Sequence, residues 1–115
     1  GDTTFNENLI HHAEGADLLV HEVTAAAGSA AENPQQLKRI GANHTTPEQA
    51  SEVFARARPK LAVYNHLLLF GSARPEDLLP ATRKKYDGPL MVGADLLQID
   101  IGTAVQTKQF VYTAE

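Results

Sequence analysis

The chain contains no cysteine and no tryptophan, one methionine, and only 6% aromatic residues among its 115 positions. Without cysteine there is no disulfide framework and no thiolate metal site. No apolar run approaches the ~18 residues of a membrane span; the longest, Leu67 to Phe70 beside His66, is far too short. An excess of positive charge is also missing: ten Lys and Arg against fourteen Asp and Glu leave a formal charge of −4. That balance argues against a broad basic face for nucleic acid, although a local patch is compatible with it. With 43% hydrophobic residues, gross disorder is disfavoured. The length suits one core, and residues 1–115 are expected to form a single domain or a half-domain. The absent cysteines fit cytoplasm and periplasm equally.

What is present alternates between helical and extended patterns. Leu9, Ile10 and Ala13 lie at helical spacing within residues 6–14, and Gly15 is a plausible stop. Leu18-Leu19-Val20, ending at His21-Glu22, reads as a strand buried on both faces, which favours a parallel sheet. Thr46-Pro47-Glu48-Gln49 opens a helix: Thr46 can cap, Pro47 suits the first position, and Gln49 can close a capping box. Ala50, Val53, Phe54 and Ala57 then mark one face of it. A second strand, Leu61 to Tyr64, ends at Asn65-His66. Residues 75–86 read as helix interrupted by Pro80. Short strands are expected at 90–92, 97–101 and 110–112. Residues 24–43, rich in alanine and poor in large apolar side chains, read as a long mobile loop with at most one short helix. The order implies a layered α/β unit.

Both principal strands end in a polar pair that includes histidine. In parallel α/β sheets ligands gather beyond the C-terminal strand ends, so His21, Glu22 and His66 are expected on one rim. Asp2 and His44 would lie on flanking loops. Imidazole and carboxylate together suit zinc, manganese or iron. Each residue also has a plainer reading: a strand-end histidine can be a hydrogen-bonding loop residue, His44 a neighbour of the helix cap, Glu22 a solvated rim charge, and Asp2 a frayed terminus. His11 and His12, within the first helix, read as surface residues.

Taken together, four segments in order resemble the C-terminal half of the metallo-β-lactamase fold hydrolases, in the ribonuclease Z and arylsulfatase-like branch. Gly1-Asp2-Thr3 looks like that family's GDT loop. Glu14 to Thr24 looks like its GADLLIHE strand. His44-Thr45-Thr46, followed by Ala50, is similar to its H-S/T-T/S-x-x-x-A helix start. Leu61 to His66 resembles the strand that delivers the last metal-binding histidine. The resemblance implies half of an αββα sandwich, with Asp2 and His66 as metal ligands, Asp2 bridging two ions. His44 would be the proton donor to the leaving group and Glu22 would orient it. Two Zn2+ per complete site are implied, with Mn2+ as the alternative, generating the nucleophile from water near neutral pH. A carboxylate beside the histidine fixes the ring and stabilises its proton-donating form.

The family's H-x-H-x-D-H motif is absent from these 115 residues, and so is the further ligand histidine that precedes the GDT loop. Asn65 stands where the family has threonine, and Leu67 to Phe70 replace the serine-arginine segment of ribonuclease Z. The opening at Gly1, without methionine, leads to the expectation that an upstream portion is missing. The resulting expectation is part of a binuclear metal-dependent hydrolase of ester-type bonds (phosphodiester, sulfate ester or lactone) acting on a small-molecule substrate. It would be inactive without its partner, the missing N-terminal half of the same fold; a homo-oligomer is compatible with this reading, with nucleic acid and membrane disfavoured. The alternatives are a non-catalytic binding module with a degenerate site, and a ribonuclease Z-type tRNA 3′ processing endonuclease.

Overall fold

The computed structural model describes residues 3–111. The elements run α1 (Glu7–Ala13), β1 (Leu18–Ala27), α2 (Pro34–Asn43), α3 (Pro47–Ala57), β2 (Leu61–Gly71), α4 (Leu78–Thr82), β3 (Leu90–Val92), β4 (Leu97–Ile101) and β5 (Val105–Gln109). β1, β2 and β3 form a parallel sheet in that order, while β4 and β5 form a separate antiparallel pair. The expected α/β layering is therefore observed.

Local chemistry explains the helix starts. Asn6 caps α1 by accepting from the Asn8 and Leu9 amides at 2.8 and 3.3 Å. At α3 the Thr46 hydroxyl accepts from the Gln49 amide at 3.2 Å, and the Gln49 side chain accepts from the Thr46 amide at 3.1 Å. Two otherwise orphaned donors are thereby satisfied. Ala50, Val53, Phe54 and Ala57 are all buried, so the apolar face read from sequence is the packed one. Pro80 does not split a helix, because α4 begins at Leu78 and places it in the first turn, where its missing N–H needs no partner.

Phe54 centres the core. Its ring lies 5.4 Å from Tyr64, 5.5 Å from Tyr86 and 6.1 Å from His21. Ile10, Val23, Ala62 and Leu78 complete the cluster. The Tyr64 hydroxyl is 2.6 Å from that of Thr82, and burial holds its proton well above the ordinary tyrosine range. Side chains alternate across a strand, so Val20 and its partner Val63 face away from this helix-packed layer. Leu97 and Ile99 line the same open side, where Val20 remains 44% exposed.

Three expectations need correction. His21-Glu22 and Asn65-His66 do not end their strands, which run on to Ala27 and Gly71. Residues 24–43 are not a loop. Thr24 to Ala27 continue β1, pairing with Leu68 to Gly71, so main-chain bonding rather than side-chain bulk sets the strand's length. After a short 3-10 turn, Asn33 accepts from the Gln35 and Gln36 amides at 3.1 and 3.2 Å and opens α2, with Pro34 at the first position. The last strand is Val105–Gln109 rather than 110–112; it is held by its ladder to β4 although four of its five side chains are exposed. Tyr112 lies outside the described residues. Among the described residues, no helix is long and apolar enough to cross a membrane.

Candidate active site

The parallel pairing of β1 and β2 sets Glu22 beside Asn65, and the register then slips by one residue. His66 is the extra residue at this bulge, with φ of 48°. Left-handed backbone at a non-glycine residue is strained by ~1–3 kcal/mol, and bulges re-aim a side chain; beyond this one the ladder resumes at Val23–Leu67 and runs on to Ala27–Gly71. The segment before α3 is tied to the same rim, since the Thr24 amide donates to the Thr45 carbonyl at 2.8 Å. His44 is thereby carried to β1, with Nδ1 3.2 Å from Glu22 Oε1. The His44 and His66 rings are 6.5 Å apart.

Glu22 is 1% exposed. Besides His44, its carboxylate accepts from the Thr3 amide at 2.8 Å and from the Thr24 hydroxyl at 3.5 Å. Such burial and bonding overturn the reading of Glu22 as a solvated rim charge: a carboxylate is tolerated in that setting only when partnered. The Thr45 hydroxyl donates to the Thr3 carbonyl. Thr3 is thus clamped between Glu22 and Thr45. Asp2 itself lies outside the described residues.

The structure therefore groups Glu22, His44 and His66, three of the five residues singled out from sequence, with Asp2 outside the described residues. His21 is not among them. It faces Phe54 and is buried at 3% exposure. Its Nδ1 sits 2.7 Å from the Glu22 carbonyl oxygen, while Nε2 finds no hydrogen-bond partner among the described residues. Strand alternation explains the difference, since His21 pairs with Tyr64 on the helix-packed face. His11 and His12 are exposed, as expected.

Sequence reasoning missed the threonines that fix the network, Thr3, Thr24 and Thr45, whose roles depend on contacts far along the chain. It also missed a cavity of about 450 Å3 beside His44, lined by one side of α2 and by Phe70.

The described residues contain no group of three or more His, Cys, Asp or Glu able to hold a metal ion. His66 suits zinc chemically, but a single imidazole does not complete the four-coordinate shell zinc requires. These residues fit a metal as contributors to a site, not as its whole ligand set.

No family model matches the chain. It is 31% identical over 101 residues to a ribonuclease Z of Myxococcus xanthus, an alignment that covers 88% of this chain and 31% of that protein. Against a ribonuclease Z of Methanothermobacter thermautotrophicus it is 35% identical over 102 residues, covering 88% of this chain and 30% of that one. In three dimensions it is similar to the metallo-β-lactamase fold protein YhfI from Bacillus subtilis, with a TM-score of 0.64 at 17% identity over 94% of this chain and 38% of that one. The chain thus forms part of a metallo-β-lactamase fold. Within that fold it is ribonuclease Z-like, and it spans about a third of the length of the ribonucleases Z it matches.

Proposed function

We propose that this chain supplies the proton-donating side, and a minority of the metal ligands, of a metal-dependent hydrolase acting on phosphodiesters. The observation that carries the reading is the Glu22–His44 pair: a buried carboxylate 3.2 Å from an imidazole, beside the bulge in the parallel β1–β2 ladder. Among ester-type substrates, similarity to ribonucleases Z favours the phosphodiester.

In this reading two divalent ions, zinc by default, supply charge neutralisation and an activated water. His66 and Asp2 would be ligands contributed by this chain, the remainder coming from an H-x-H-x-D-H motif. Glu22 holds His44 through Nδ1 and fixes the ring's orientation, the usual task of a carboxylate behind a working histidine. His44 donates a proton to the departing oxygen as the bond to phosphorus breaks. Thr3 and Thr45 hold the segment following Asp2 against the same carboxylate.

The test is turnover of bis(p-nitrophenyl) phosphate by an assembly that also provides the H-x-H-x-D-H motif, from the same polypeptide or another. His44→Ala should lower the rate by about 10²–10⁴, the usual worth of a general acid, and Asp2→Ala should lower it by orders of magnitude. The absence of a three-ligand cluster among the described residues favours a second reading, a binding module without metals. It requires both variants to leave turnover and metal content unchanged.

A further inference from the structure

The cavity shares His44 with the hydrogen-bond network around Glu22, and the rest of its lining is chemically selective. Helix α2 presents Gln35, Gln36, Arg39 and Asn43 to it, His44 follows at the helix end, and Phe70 lines it from near the end of β2. The chain carries fourteen acids against ten bases, but none of the cavity's lining residues is a carboxylate. Its one permanently charged side chain is Arg39, a planar cation suited to phosphate oxygens. The carboxamides carry both donors and acceptors, as base edges do, and Phe70 offers a ring face on which a base can stack. A bare anion would need only the guanidinium. A cation, an aromatic face and paired amides within about 450 Å3 match a nucleotide.

We propose that this cavity is the leaving-group subsite, with Arg39 and Phe70 as specificity-determining residues for a nucleotide on that side of the scissile bond. The inference rests on the phosphodiesterase reading above. There, water oxygen bonds to phosphorus, the bond from phosphorus to the departing oxygen breaks, and His44 gives that oxygen its proton. Water's released proton restores His44. The products are a phosphomonoester and an alcohol. Because the departing oxygen must reach His44, the group that leaves with it must occupy the space His44 lines.

The test is a titration of the 115-residue chain, followed by backbone amide resonances, with three probes: the dinucleotide adenylyl-adenosine, adenosine and inorganic phosphate. The dinucleotide should produce saturable shifts at Arg39, Asn43, His44 and Phe70. Arg39→Ala should weaken it about tenfold, with Arg39→Lys partly restoring binding. Phe70→Leu should weaken the dinucleotide and adenosine about tenfold and leave phosphate unchanged, as loss of a stacking platform requires. Equal binding of phosphate and dinucleotide, insensitive to Phe70→Leu, would overturn the nucleotide assignment. So would the absence of saturable shifts at millimolar dinucleotide. Turnover is scored separately: loss of dinucleotide binding while His44→Ala still abolishes turnover sinks the subsite alone. Binding that survives while His44→Ala leaves turnover unchanged sinks the proton-donor reading and, with it, the leaving-group placement.

Discussion

Glu22 is the residue on which the site's geometry turns, and its removal has a calculable consequence. The carboxylate is buried and accepts from the Thr3 amide at 2.8 Å, from His44 at 3.2 Å and from Thr24 at 3.5 Å. Glu22→Leu keeps the volume but strips every partner of its acceptor. The Thr3 amide is left without its bond, at about 1–3 kcal/mol, and the His44 contact adds a charge-assisted bond of about 1.5–3 kcal/mol. The Thr24 bond is at the limit of length and adds little. Escape from burying a carboxylate offsets part of this, so we expect a net loss of about 3 kcal/mol. Glu22→Gln preserves one acceptor oxygen for Thr3 and exchanges the charged contact for a neutral one, costing about 1 kcal/mol. With a urea slope of about 2 kcal/mol/M, the midpoints should fall by about 1.5 M and about 0.5 M at unchanged slope. Circular dichroism during urea unfolding measures both. A Leu variant as stable as the parent, or one no worse than Gln, would refute the claim that the carboxylate organises this rim.

The other predictions concern the frame around it. Thr46→Ala removes one half of the α3 capping box and should cost about 1 kcal/mol in the same assay. Gly71→Ala should cost about 2–3 kcal/mol, because a Cβ there would lie 2.1 Å from the Ala27 carbonyl oxygen on a backbone with φ of 65°. Burial raises the Tyr64 hydroxyl in the folded state, and Tyr86 shifts in the same direction for the same reason. A raised folded value means that stability is fully present below the unfolded tyrosine value of about 10 and is lost as pH rises beyond it. Thermal unfolding midpoints should therefore be flat through neutral pH and fall above about pH 10, less steeply in Tyr64→Phe.

How much of this was legible in sequence depended on how local the cause was. Helix α3 was readable because its cap, proline and apolar face lie within twelve residues, and β1 was readable where Leu18 to Val20 form an unbroken apolar run. Thr24 to Ala27 were not, because their strand character comes from pairing with Leu68 to Gly71, more than forty residues away. Helix α2 was legible only as one short helix within a loop, since its residues are mostly exposed and polar, which weakens the periodic signal. At the site, Glu22 and His44 were brought together by family resemblance and not by spacing. Burial of Glu22 and withdrawal of His21 followed from the direction in which each side chain leaves the strand. The slip that makes His66 a left-handed bulge depends on register, which no pattern in Leu61 to Phe70 announces.

The central claim is that these residues contribute to a metal site without completing it, and zinc stoichiometry tests it most directly. Titrated calorimetrically, the 115-residue chain alone should bind no tight pair of ions, and joining it to a segment carrying the H-x-H-x-D-H motif should produce tight binding of two equivalents that Asp2→Ala and His66→Ala diminish. Two tightly held zinc ions on the chain alone, or an assembly whose zinc content ignores both substitutions, would contradict the account.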